Sequence, residues 1–208
     1  KGVNGKGEII KSGGTVVKNV TGYDLSKVIT GSFGTLSVFT EISIKVLPKP
    51  DLTKTLIISN SHLKKGLEHL GVALSSSCDP SGAVFYPEFF QDQLTFNDLT
   101  TKGSITAIRI EGSKLSIDGR IKQLINELAV NKKEISILDP EQSNIFWEKT
   151  RSLNVFSNLK NNLLRIIMPG SEAFDLINKL KFYNIKYFID WGGNLAWVQL
   201  DQLNSSIL

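Results

Sequence analysis

Cysteine is almost missing from this chain. Cys78 is the only one in 208 residues, so no internal disulfide can form and a reducing compartment is the expectation. Histidine is nearly as scarce: His62 and His69 stand seven residues apart on a segment spaced like a helix, whereas metal-binding pairs on helices stand three or four apart. Both are read as solvated surface residues, and no metal site is assigned. No apolar run approaches the ~20 residues of a membrane span, so a soluble chain is expected. Charge of one sign is never concentrated. The 24 Lys and Arg are scattered among 20 Asp and Glu for a net +4, a basic bias too weak to argue for nucleic acid. What remains, 41% hydrophobic and 21% charged residues, is enough for at least one buried core, although one compact unit is not the expectation.

The 17 glycines are unevenly spread. Eight lie before residue 35, at Gly2, Gly5, Gly7, Gly13, Gly14, Gly22, Gly31 and Gly34, and Pro48-Lys49-Pro50 then interrupts any sheet ladder. The reading is therefore two domains, 1–50 and 51–208. In the first, Lys1 to Lys11 reads as strand, turn and strand, with Asn4-Gly5 as a tight turn needing positive φ. Asp24 can cap a short helix through Ile29 with Gly31 as its stop, and Val38, Ile42, Ile44 and Val46 suggest a strand from Leu36 to Leu47.

The second domain changes period in an informative order. A strand at Thr55–Ser59 is followed by a helical stripe at Leu63, Leu67, Leu70 and Leu74, capped by Asn60 or Ser61. Strands at Gly82–Tyr86 and Ser104–Glu111, a helix through Ile117, Ile121, Leu124, Ile125 and Leu128, and a strand at Glu134–Leu138 complete βαββαβ, a ferredoxin-like unit. A helix opening at Asp139-Pro140 comes next. Leu163–Met168, a helix with Phe174, Ile177 and Leu180, and a hairpin turning at Gly192-Gly193 then repeat the βαββ opening without its final helix and strand. The fold class is α+β, and a repeat that stops part-way suggests a chain cut short at its C-terminus.

Between Ile29 and Val38 lies the stretch with the most chemistry. Gly31 and Gly34 let backbone N–H groups approach a ligand with no Cβ in the way, while Ser32 and Thr35 add hydroxyls suited to phosphate or carbonyl oxygens. That pattern suits a nucleotide-like cofactor, and it equally suits a purely structural glycine turn. The residues themselves narrow it. KNVTGYDLSKVITGSFGTLSVFTEISIKVLPKP, from Lys18 to Pro50, resembles the end of the flavin domain in FAD-linked oxidases of the vanillyl-alcohol-oxidase and p-cresol-methylhydroxylase (PCMH) type. FWEKTR at 146–151, Leu163-Leu164-Arg165 and IDWGG at 189–193 are similar to the FAD-binding E subunits of bacterial glycolate oxidases.

The resemblance implies the C-terminal piece of a PCMH-type FAD-binding domain followed by a ferredoxin-like cap. It implies FAD as cofactor, with Asn19, Thr21, Gly22, Tyr23 and Asp24 near the flavin and Gly31, Ser32, Gly34, Thr35, Leu36 and Val38 along its isoalloxazine and ribityl region. Asp24 serves equally as a helix cap, and Leu36 and Val38 equally as core. Ser37 stands where the family often has glycine, and the first flavin subdomain with its pyrophosphate loop has no counterpart. An interior fragment, itself inactive, is the expectation. Also implied are a cytoplasmic complex, or one peripheral to the inner membrane, with a catalytic FAD subunit and an iron–sulfur subunit as partners, oxidising a small 2-hydroxy acid. The alternative is an assembly subunit with a vestigial flavin site. Lys18, Arg165 and Lys181 are not distinguished from solvated charges; of Trp147, Trp191 and Trp197, Trp191 is the one a tight turn could present outward.

Overall fold

The computed structural model describes residues 1–14, 22–59, 62–94, 103–156 and 162–200. The chain divides into two compact units, Lys1–Lys49 and Pro50–Leu208. Among the described residues no helix is long and apolar enough to cross a membrane.

The first unit holds β1 (Gly2–Asn4), β2 (Ile9–Ile10), α1 (Leu25–Ile29) and β3 (Ser37–Phe39), with the strands antiparallel in the order β2-β1-β3. The β1–β2 connection is wider than an Asn-Gly turn at 4–5. The Asn4 Oδ1 accepts from the N–H groups of Lys6 (2.9 Å) and Glu8 (3.0 Å), and the left-handed residue is Gly7 at φ +81°. A side chain that binds its own backbone in this way stretches the loop by drawing two later residues into it. The expected strand from Leu36 to Leu47 shrinks to Ser37–Phe39. Phe39 pairs with Gly2, and the next two N–H groups, of Thr40 and Glu41, both converge on the Lys1 carbonyl, which ends the ladder. Ile42, Ile44, Val46 and Leu47 are therefore exposed and alternate without a sheet beneath them. Alternation marks a strand only where a partner supplies its hydrogen bonds.

The second unit runs β4 (Leu52–Ser59), α2 (Leu63–Ser75), β5 (Gly82–Tyr86), a 3-10 turn leading into α3 (Gln91–Leu94), β6 (Ile105–Gly112), α4 (Lys114–Leu128), β7 (Ile135–Leu138), α5 (Pro140–Arg151), β8 (Asn162–Ile167), α6 (Ala173–Leu180), β9 (Lys186–Asp190) and β10 (Leu195–Leu200). All seven strands form one antiparallel sheet in the order β7-β4-β6-β5-β9-β10-β8. The two βαββ runs are thus laid head to head. In each, the third strand sits between the first and the second, and the two second strands meet where Phe85 faces Ile189. The first run continues with α4 and β7; among the described residues the second has no counterpart of either.

Strand alternation sorts the core into two layers. One face, with Leu56, Ile58, Phe85, Ile108, Ile110, Ile189 and Val198, is covered by α2, α4 and α6. The other carries Ile57, Val84, Tyr86 and Phe188 under α5 and the segments around Phe90 and Phe156. Tyr86 is the centre of this aromatic layer, with ring centroids 4.7 Å from Phe188, 5.6 Å from Phe90 and 6.0 Å from Phe146. Its hydroxyl bonds the Thr150 hydroxyl at 3.0 Å, so the buried phenol is satisfied, and burial pushes its pKa far up. Helix α5 starts on a full capping box between Asp139 and Gln142, with Pro140 in the first turn.

The buried face of α2 is rotated from the leucine stripe. It consists of Leu63, Gly66, His69, Leu70 and Ala73, while Leu74 is exposed. Gly66 explains the rotation. A Cβ there would lie 2.2 Å from the Phe85 ring, so glycine lets the helix seat directly on the aromatic, with Leu63 and Leu70 in the core and Leu74 turned outward. His69 is consequently buried, correcting its reading as a surface residue, and desolvation lowers its pKa. His62 is exposed and occupies the N-cap of α2 without a side-chain bond; the caps expected from sequence, Asn60 and Ser61, lie outside the described residues.

Candidate cofactor site

The loop joining α1 to β3 has three left-handed residues in four positions: Gly31 (φ +81°), Phe33 (+51°) and Gly34 (+78°). It is braced from within. The Ser32 N–H donates to the Ile29 carbonyl (3.1 Å) and the Thr35 N–H to that of Ser32 (2.9 Å), while the Thr35 hydroxyl donates to the same Ser32 oxygen (2.6 Å). Among the described residues, the N–H groups of Gly31, Phe33 and Gly34 donate to no backbone carbonyl. A Cβ at Gly31 or at Gly34 would meet nothing within 4 Å, so both backbone segments face open space. Phe33 (98% exposed), Leu36 (50%) and Val38 (66%) lie around them. Free backbone donors beside exposed apolar side chains suit a ligand that combines polar oxygens with a flat ring.

The other residues expected near a flavin divide by what already holds them. The Asp24 Oδ1 accepts the Lys27 N–H at 3.3 Å and its second oxygen pairs with Lys27 Nζ at 3.0 Å, so the carboxylate caps α1. Hydrogen bonding from Lys27 also holds its pKa below the ordinary value. Gly22 (φ +85°) is open, and Tyr23 is 92% exposed. Leu36 and Val38 are both exposed, so neither fills a core in this unit. Asn19, Thr21 and Lys18 lie outside the described residues. Phe33 is not among the residues the resemblance points to; its place between two loop glycines is the signal the sequence offers. Ser37 is buried in β3 and its Oγ has no hydrogen-bond partner among the described residues. The close approach is at Gly2, where a Cβ would come within 2.8 Å of the Val38 carbonyl oxygen.

In the second unit, the Trp147 indole N–H donates to Thr55 Oγ1 at 2.9 Å and its ring lies 3.0 Å from where a Cβ of Gly82 would stand. The Arg109 guanidinium covers the same ring at 4.9 Å. Trp147 is thus a packing residue. The Arg165 guanidinium carbon lies 4.9 Å from the centre of the Trp191 ring and 5.9 Å from that of Trp197, and Lys181 is exposed.

A small antiparallel unit, followed in the chain by a large antiparallel sheet layered with helices, defines a protein of the α+β class. No family model matches the chain. It is nevertheless 30% identical to glycolate oxidase subunit GlcE of Escherichia coli (strain K12), over 199 residues that make up 95% of this chain and 46% of that protein. It is 34% identical to glycolate oxidase subunit GlcD of Bacillus subtilis (strain 168), over 88% of this chain and 41% of that one. The fold is shared with a solved structure, the isoeugenol complex of 4-ethylphenol oxidase from Gulosibacter chungangensis, at a TM-score of 0.64 and 12% identity, over 96% of this chain and 50% of that one. The chain belongs to the FAD-linked oxidases, and it spans about half the length of the curated relatives it matches. The loop passes a simple test for that cofactor. Among the described residues, the N–H groups of Gly31, Phe33 and Gly34 have no backbone acceptor and the two glycines meet no side chain, and the apolar neighbours are exposed.

Proposed function

We propose that this chain is part of the FAD-binding subunit of a complex that oxidises a small 2-hydroxy acid, glycolate being the model substrate, to a 2-oxo acid. Electrons would leave through an iron–sulfur partner subunit, alongside a catalytic FAD subunit. The glycolate oxidase names of the two relatives support the substrate class, and the Gly31–Thr35 loop is the observation that carries the reading. FAD would supply the hydride acceptor. This chain's part is to bind and orient it. Gly31, Phe33 and Gly34 would offer backbone N–H groups, Ser32 its hydroxyl, and Leu36, Val38 and Tyr23 apolar surface that excludes water from the ring system. Thr35 braces the loop, and Asp24 fixes the helix from which the loop springs. Gly22 leaves the approach free of a side chain, and Asn19 and Thr21 complete the proposed set.

The test is the visible absorption spectrum of the purified protein with its partners. Gly34→Val should reduce flavin affinity at least about tenfold, equivalent to roughly 1.4 kcal/mol. Gly7→Val is the matched control, because Gly7 has the same left-handed backbone (φ +81°) and equally open surroundings outside the loop. It should carry the backbone strain and keep the colour. Equal loss in both variants would sink the loop assignment, and colourless wild-type protein that still assembles would favour a non-catalytic assembly subunit.

A further inference from the structure

Helices α2 and α6 touch, and the strand directions make them antiparallel. Each connects the end of one strand to the start of a parallel one, β4 to β5 and β8 to β9, and β5 and β9 are antiparallel neighbours. The last turn of α6 therefore lies at the same end of the sheet as the first turn of α2. That end is basic. Lys64 and Lys65 open α2, Lys179 and Lys181 stand at the close of α6, and Lys186 begins β9; all five are exposed. Lys65 pairs with Glu68 at 3.1 Å, and among the described residues the other four lysines have no ion pair. Glu88, just past β5, is the exposed acid that follows on beside β9.

In α2 this placement runs against local electrostatics. A helix N-terminus carries partial positive charge and favours acidic residues, yet α2 has none in its first turn and no side-chain bond from its cap, His62. The stability of the helix does not account for Lys64 and Lys65.

Among these lysines stands an apolar tip. A 3-10 turn, Lys181–Tyr183, follows α6 and ends on Asn184 in the left-handed region at φ +51°. It leaves Phe182 91% and Tyr183 41% exposed. Phe182 thus projects outward. Lysine is depleted from protein–protein interfaces, whereas aromatic rings set among lysines suit an anionic lipid surface. The rings enter the boundary between headgroups and acyl chains, and the flexible lysine stems reach the lipid phosphates.

We propose that this end of the second unit is a peripheral contact for an anionic membrane. Phe182 and Tyr183 form the inserted tip, and Lys64, Lys179, Lys181 and Lys186 supply the electrostatic attraction. The contact lies on the bilayer and does not cross it. It stands independently of the flavin reading.

The test is co-sedimentation of the purified protein with vesicles of phosphatidylcholine, alone or mixed with phosphatidylglycerol, across a salt series. Binding is expected on the mixed vesicles, weakening as salt rises. Phe182→Ser should lower the affinity at least about threefold and keep the salt dependence. Changing Lys179, Lys181 and Lys186 together to Gln should lower it at least about tenfold and flatten that dependence. Leu115→Ser is the matched control, because Leu115 is 97% exposed beside Lys114 at the opposite end of the sheet. It should bind like the wild type. All these side chains are exposed, so each variant should keep the wild-type urea midpoint. No binding to mixed vesicles, equal binding to phosphatidylcholine alone, unchanged binding in the Phe182 and lysine variants, or an equal loss in Leu115→Ser would each overturn the contact. Wild-type protein that ignores vesicles, but whose assembly with its partners fails in the lysine variant, would assign the patch to a protein and overturn it too. Flavin colour without vesicle binding would sink this inference alone; vesicle binding by colourless protein would sink only the cofactor reading.

Discussion

Asp190 shows how one carboxylate can be costly to keep and still be retained. Burial raises its pKa above the ordinary value, more than the Trp191 N–H bond and the Arg109 charge lower it. The sign follows from linkage. Between the ordinary carboxylate pKa and the raised folded one, the unfolded chain has already lost a proton that the folded chain still holds, so stability falls as pH rises through that window. Asp190→Asn keeps an oxygen for the Trp191 N–H and removes the charge. It should be at least as stable as the wild type at neutral pH, with the difference vanishing as pH drops below the carboxylate range, measured by urea denaturation across pH. His69 runs the other way. Its depressed pKa means stability is lost as pH falls below its ordinary value of 6.5. Neither burial was visible in the sequence, because His69 at the border of a helical stripe and Asp190 at the end of a strand are covered or left open according to what packs against those elements.

At the scale of elements, the stripes of α2, α4 and α6 were legible because each is a local period imposed by one buried face, and β4, β5 and β6 because burial on both faces makes each a short, nearly continuous apolar run. The exceptions are those whose hydrogen bonds or packing come from elsewhere. Residues 40–47 alternate like a strand and lack a ladder, and α2 is turned by the glycine at its centre. Gly66 offers a direct check. Alanine should favour the helix by about 1 kcal/mol on propensity alone, yet its Cβ would press into Phe85. Gly66→Ala is therefore expected to destabilise by about 1–3 kcal/mol, read as a lowered urea midpoint. A gain in stability would show that the helix can lift off the ring. The candidate cofactor loop belongs to this scale as well: its glycine spacing and resemblance were legible, whereas the exposure of Phe33, Leu36 and Val38 required coordinates.

Over the whole second unit, the head-to-head arrangement joins two βαββ runs into one sheet through the β5–β9 seam. Phe85 and Ile189, facing each other there, share a core with α2 and α6, so the two runs should unfold together. Ile189→Ala, at a fully buried position, should cost about 2–5 kcal/mol and shift a single transition, with far-UV circular dichroism and tryptophan fluorescence moving in step. Separate transitions by the two probes would mean that the runs are independent.

Local chemistry determined the helices, most strands and the donor loop, since periodicity, caps and glycine act within a few neighbouring residues. Family membership was legible for the same reason, being carried by contiguous stretches such as TGYDL and GSFGTL. Tertiary structure alone decided the strand order, the burial of His69 and the meeting of Arg165 with two tryptophans that follow it 26 and 32 residues later. Those outcomes depend on which strands share a ladder, and hydrogen-bond pairing between distant segments leaves no period in the chain that makes it.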